Sequence, residues 1–130
     1  MATSGITQLY AIVVRFKERH PLLKGDKTGK CKSVSISLLE ELECKGYQAD
    51  VQYGYYLARN AWHKHCWVEV AVDATNYVVD LTADQFGETE LLFGPANQFS
   101  GRLLYHIKRQ RPQDYDFDKT LLSIPFHGTW

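Results

Sequence analysis

Three side chains have the types and the chain order needed for nucleophilic catalysis: Cys31 in GKCKS, His65 in HCWVEV and Asp80 in VVDLT. A cysteine attacks a carbonyl as the thiolate, and a free thiol with a pKa of ~8.5 supplies little of it at neutral pH. Cys31 falls where a helix is predicted to begin, so the positive end of the helix dipole favours its anion. Lys30 and Lys32 add positive charge on either side. A thiolate also needs an imidazole to carry protons, and the imidazole needs a partner that fixes its tautomer. His65 and Asp80 are the candidates for these two roles.

The elements that must bring the three together follow from hydrophobic periodicity. Leu9, Ile12, Val13 and Phe16 fall at helical spacing, predicting a helix over 7–19 that ends at His20-Pro21. Val34, Leu38, Leu39 and Leu42 predict a second helix over 31–45, with Thr28 or Asp26 as caps and Gly46 just past its end. QADVQYGYYLA, HCWVEVAVD and TNYVVDLT read as strands, NAWHKH as a turn, and Asp73 to Asn76 as a hairpin turn. His65 precedes that turn by about as many residues as Asp80 follows it. A hairpin ladder would therefore set the two opposite or diagonally adjacent, within one hydrogen bond. The stretch ADQFGETELLFGPANQFSG reads as mostly loop with a short helix, and SGRLLYHIKRQ as one more strand. Helices followed by sequential strands predict an α+β domain, its N-terminal helices packed on an antiparallel sheet.

The order Gly29-Lys30-Cys31, Gly46-Tyr47, Gly54-Tyr55, His65-Cys66-Trp67-Val68-Glu69 and Asp80-Leu81-Thr82 resembles the transglutaminase-like branch of the papain-like cysteine hydrolases. The match covers residues 29–87. The length of 130 residues predicts one domain spanning 1–130. The resemblance reaches neither terminus and implies a papain-like α+β core. Cys31 would be the nucleophile, His65 the base and acid, and Asp80 the orienting group. It implies a thiol-dependent peptidase, amidase or deamidase acting on a peptide, a protein or a small amide, with no cofactor and no metal. A transglutaminase-type transfer to an amine and an inactive peptide-binding module are the alternatives. The sequence departs from the family in offering no Gln shortly before the cysteine to help hold an oxyanion. The Cys31 backbone N–H is one candidate donor; Gln8 and Gln85 are side-chain candidates for the second.

Competing readings of the same residues are weaker. Gly25 to Ser33 looks like a phosphate loop, but Gly25 and Gly29 stand one residue too close and Cys31 replaces the magnesium-binding hydroxyl. His63 and His65 share a strand face, yet no second ligand pair exists for zinc. His63 is the rival base and Asp84 the rival orienting acid. Glu69 is either an acceptor behind the site or a solvated strand residue. Trp67 packs, or shields the histidine–aspartate pair. Cys66 is read as core, on the face opposite His65, because strand side chains alternate. The lysines beside Cys31 predict partial exposure of its thiol. Thr82 and Gln85 are candidates to line the site, and Tyr53, Tyr55 and Tyr56 to pack or line a groove.

Composition removes other classes. The 130 residues carry 15 basic and 15 acidic side chains, so phosphate neutralisation cannot drive nucleic-acid binding. The basic run HIKRQRP is cancelled by the acidic DYDFDK close behind it. No apolar run approaches the ~18 residues of a membrane span. Three cysteines at scattered spacing make no disulfide framework. Reduced thiols and a start without signal-peptide character predict a cytoplasmic protein.

Overall fold

The computed structural model describes residues 2–20, 30–83, 91–105 and 119–127. Helix α1 spans Ala2–Arg19 and α2 spans Cys31–Cys44. Six strands follow: β1 Gln48–Ala58, β2 Ala61–Val72, β3 Thr75–Asp80, β4 Leu92–Pro95, β5 Leu103–Tyr105 and β6 Phe126–His127. They form one sheet in the order β4-β3-β2-β1-β5, antiparallel except for β6, which pairs in parallel with β2. The predicted α+β class with helices on an antiparallel sheet holds at this level.

Helix α2 ends as its sequence dictates. Gly46 takes φ +87°, its N–H reaches the Glu43 carbonyl, and the Tyr47 N–H reaches the Leu42 carbonyl. That paired closure satisfies the last free carbonyls and depends on a left-handed residue. At the other end Lys30 holds the cap position without a side-chain bond. The proposed caps Asp26 and Thr28, and the glycine loop from Gly25 to Gly29, lie outside the described residues.

Both central hairpins turn on two left-handed residues, Arg59-Asn60 and Asp73-Ala74. Such turns match the twist of antiparallel strands. The predicted turn NAWHKH is therefore corrected: only its first residue belongs to the turn, and Ala61 already pairs with Ala58. LFGP, read as loop, is β4. Its alternation is real, with Leu92 and Gly94 buried, but Gly and Pro disguise it. A Cβ on Gly94 would come 2.5 Å from Gln98 of the 3-10 turn Ala96–Phe99.

The sheet carries a core on each face. On one face Leu9, Val13 and Phe16 of α1 and Val34, Leu38 and Leu42 of α2 pack on Ala49, Val68, Val70, Val72 and Val79. On the other, Tyr56, Trp67, Val78, Leu92 and Leu103 pack with Ala83, Ala96 and Phe99. Each fully buried large side chain contributes about 1.5–3 kcal/mol from water exclusion. Among the described residues no helix is long and apolar enough to cross a membrane.

Candidate active site

Strand β2 supplies the central side chains. The β2–β3 ladder runs from Val72↔Thr75 to Val68↔Val79, and β6 meets β2 at Trp62 and His63. His65 and Cys66 lie between these two stretches. By alternation His65, Trp67 and Glu69 face the second core, while Cys66, Val68 and Val70 face the helices. Asp80 extends the ladder register by one residue beyond Val79, opposite Trp67 and diagonal to His65.

His65 Nε2 lies 2.6 Å from Asp80 Oδ2, with the two side chains 0% and 1% exposed. The other carboxylate oxygen, Oδ1, accepts the Thr82 backbone N–H at 3.0 Å and the Thr82 hydroxyl at 3.4 Å. The Asp-Leu-Thr turn thus holds one oxygen while the other holds the imidazole. Trp67 stacks beside the His65 ring, centroids 6.2 Å apart, and Tyr56 meets it edge-on at 5.7 Å. The Trp67 indole N–H donates to Glu69 at 3.1 Å, so Glu69 is buried and bonded rather than solvated. Trp67 both packs and shields.

Cys31 arrives from the helix face, in the first turn of α2. Its side chain falls on the stripe Cys31, Val34, Ser35, Leu38, Leu42 that presses on the sheet. Its thiol responds to the side chain and backbone of Cys66 and to the charge of the His65 ring, which groups the three side chains together. With Nε2 committed to Asp80, Nδ1 is the ring nitrogen left for chemistry, and it is buried with no hydrogen bond of its own among the described residues. Of the causes that act on the thiol, the Cys66 S–H is the largest and favours the anion. Burial opposes it, and the His65 ring then adds to it, bringing Cys31 down to about 5. Burial alone would neutralise His65, but the Asp80 charge and hydrogen bond outweigh it, helped by Cys31, and raise it to about 9. Between those values the pair rests as thiolate and imidazolium.

All three predicted side chains therefore converge. Two expectations about their surroundings change. Cys31 is 8% exposed rather than partly open, because its helix stripe points at the sheet; only Lys32 beside it is exposed. Cys66 does face away from His65 and is buried, yet it is more than filler, since that face is where α2 delivers Cys31. The clue was available: the helix carrying Cys31 must pack on one face, and the residue after His65 points there. His63 bonds through Nε2 to the Ala58 carbonyl at 3.1 Å. Gln8 is exposed on α1. Asp84 and Gln85 lie outside the described residues. Among the described residues no cluster of three metal-binding side chains occurs.

Gly54, opposite His65 on β1, was quoted only as part of a motif. A Cβ there would come 2.1 Å from the Leu104 carbonyl oxygen and 2.7 Å from the Trp67 ring. The glycine lets β5 and Trp67 close over the histidine.

Compared with models of protein families, with curated proteins and with solved structures, the chain matches none. Any functional reading therefore rests on the site itself.

Proposed function

We propose that the protein is a thiol hydrolase of the transglutaminase-like, papain-like kind, cleaving an amide bond through a thioester on Cys31. The observation that carries this reading is a buried imidazole held at 2.6 Å by Asp80, with the Cys31 thiol near enough to respond to its charge. The Cys31 thiolate attacks the amide carbon, and the backbone N–H groups at the start of α2 are donors for the oxyanion. The tetrahedral adduct collapses as the C–N bond breaks, and the His65 imidazolium gives its proton to the departing amine. Neutral His65 then takes a proton from water, whose oxygen attacks the thioester carbon. The C–S bond breaks and the acid leaves. Asp80 keeps Nε2 protonated throughout, so Nδ1 is the nitrogen that exchanges protons. The substrate proposed is a peptide or protein amide.

One observation favours a second reading, a catalytically idle peptide-binding module: Cys31 is 8% exposed and His65 not at all. Iodoacetamide separates the two. As an enzyme, the full chain labels at Cys31 at neutral pH far faster than a free thiol. An amide substrate leaves an acyl thioester on Cys31 that hydroxylamine removes, and Cys31→Ala lowers turnover by roughly 10⁴-fold or more. Labelling no faster than an ordinary thiol, together with unchanged amide turnover in Cys31→Ala, overturns the hydrolase.

A further inference from the structure

Cys66 moves no proton and forms no bond in the hydrolysis just described, yet it is buried on the face of β2 that α2 covers, where the first turn of α2 buries Cys31, and the two thiols act on each other's ionisation. Both thiols are reduced and buried, whereas the third, Cys44, is exposed at the far end of α2. Cys66 is held fixed by the central strand and Cys31 by the first turn of α2, so the two sulfurs meet without help from any loop. A disulfide needs its sulfurs ~2.05 Å apart, which neighbouring thiols on two packed elements reach by turning their side chains.

We propose that Cys31 and Cys66 form a reversible disulfide when a hydroperoxide oxidises the Cys31 sulfur, and that this bond shuts the site. The proposal rests on Cys31 being a thiolate, not on the turnover of any substrate. The Cys31 thiolate attacks one peroxide oxygen, and the O–O bond breaks. The sulfur becomes a sulfenic acid, oxidised by two electrons, while the peroxide is reduced and leaves as alkoxide, or hydroxide from hydrogen peroxide, to be protonated by solvent. The Cys66 sulfur then attacks the Cys31 sulfur. The S–O bond breaks, the leaving hydroxide takes the Cys66 proton, and water departs.

The order of events follows from the electrostatics. Cys66 is pushed up and kept a thiol chiefly by its hydrogen bond to Cys31, then by burial and by the Cys31 charge. Cys31 therefore oxidises first. The sulfenic acid that results carries no charge, so the suppression that came from the Cys31 anion is gone when the Cys66 thiolate is needed, while burial still opposes it. Burial keeps larger thiols from competing for the sulfenic acid. The disulfide removes the charge that His65 faces and occupies the sulfur that would attack a carbonyl.

The test uses the full chain carrying Cys44→Ser, which prevents cross-links between molecules. Treated with hydrogen peroxide, unfolded and mapped without reductant, it should yield one Cys31–Cys66 cross-linked peptide. Iodoacetamide labelling at Cys31 should be lost and should return fully with dithiothreitol. In the same chain with Cys66→Ser, Cys31 should pass on to sulfinic acid, and recovered labelling should fall to roughly a tenth or less. Sulfinic Cys31 beside a still-free Cys66 in the parent overturns the proposal, as does equal recovery in the Cys66→Ser chain. If that variant does not fold, the map of the parent decides alone. A cross-link without amide turnover by the reduced protein sinks only the hydrolase; turnover without a cross-link sinks only the switch.

Discussion

Burial ordinarily strips an imidazole of its proton, and His65, fully buried, keeps its own because a carboxylate lies 2.6 Å away. The proton it retains stabilises the Cys31 anion, so the two shifts act in opposite directions on neighbouring groups. Alkylation of Cys31 should rise with pH around a midpoint near 5, whereas a free thiol waits for ~8.5. Amide turnover should climb through the same midpoint and fall near 9, where His65 loses its proton. Stability has its own profile. The depressed Cys31 contributes fully above its ordinary value of 9.0, and that contribution is lost as pH falls through about 5. The raised His65 contributes fully below its ordinary 6.5, and that contribution is lost as pH rises through about 9. Summed over these two groups, stability rises from about 5 to 6.5 and is then level to about 9. Denaturant unfolding of wild type against Cys31→Ala across that range isolates this part of the profile. That Cys31, His65 and Asp80 could act together was legible in their types and neighbours. The contact with Cys66 was not, because alternation says where a strand side chain points and nothing about what arrives there.

The two hairpins are what make the histidine–aspartate pair. Their register follows from two-residue turns and from the buried valines of β2 and β3, where a slip of one residue would turn every side chain over. That is why spacing alone could set His65 and Asp80 opposite or diagonally adjacent, of which the structure shows the diagonal. The turn at Arg59-Asn60 was harder to find, since NAWHKH holds polar residues that the structure places in a paired strand. Gly54 shows the cost of filling the space above the histidine. Gly54→Ala puts a methyl against the backbone of β5, which cannot yield as a flexible side chain would. The substitution should lower stability by about 1–3 kcal/mol in chemical denaturation, with hydrogen exchange quickened at 103–105 and the α1–α2 core protected as before.

At the scale of the molecule, the site lies where the two cores meet across the sheet. The helix layer brings Cys31 and the opposite layer encloses His65. The chain also returns to β2 near its C-terminus. The Trp62 backbone N–H donates to the Pro125 carbonyl at 2.6 Å, its indole N–H donates to the Leu121 carbonyl at 2.9 Å, and Phe126 stacks on its ring. Trp62→Phe keeps the aromatic body and deletes the indole donor, leaving a carbonyl to find water. It should cost about 1 kcal/mol. Amide exchange should quicken across 119–127 while β1 to β3 keep their protection. Equal loss of protection throughout the sheet would show that the segment is not a separable clasp. This segment gave no clear period in the sequence, because a short 3-10 turn and a two-residue strand are too brief to carry one.

The sequence by itself determined which residues could do chemistry, both helices, the β2–β3 register and the α+β class. Each of these depends on local geometry: a helical stripe, a two-residue period, a glycine that must be left-handed. Only the tertiary structure decided that α2 docks with Cys31 against both His65 and Cys66, that the thiol is nearly covered, and that Gly54 clears room beneath β5. Those contacts join residues far apart in the chain, and they are fixed by packing across the sheet, which no periodicity along the chain encodes.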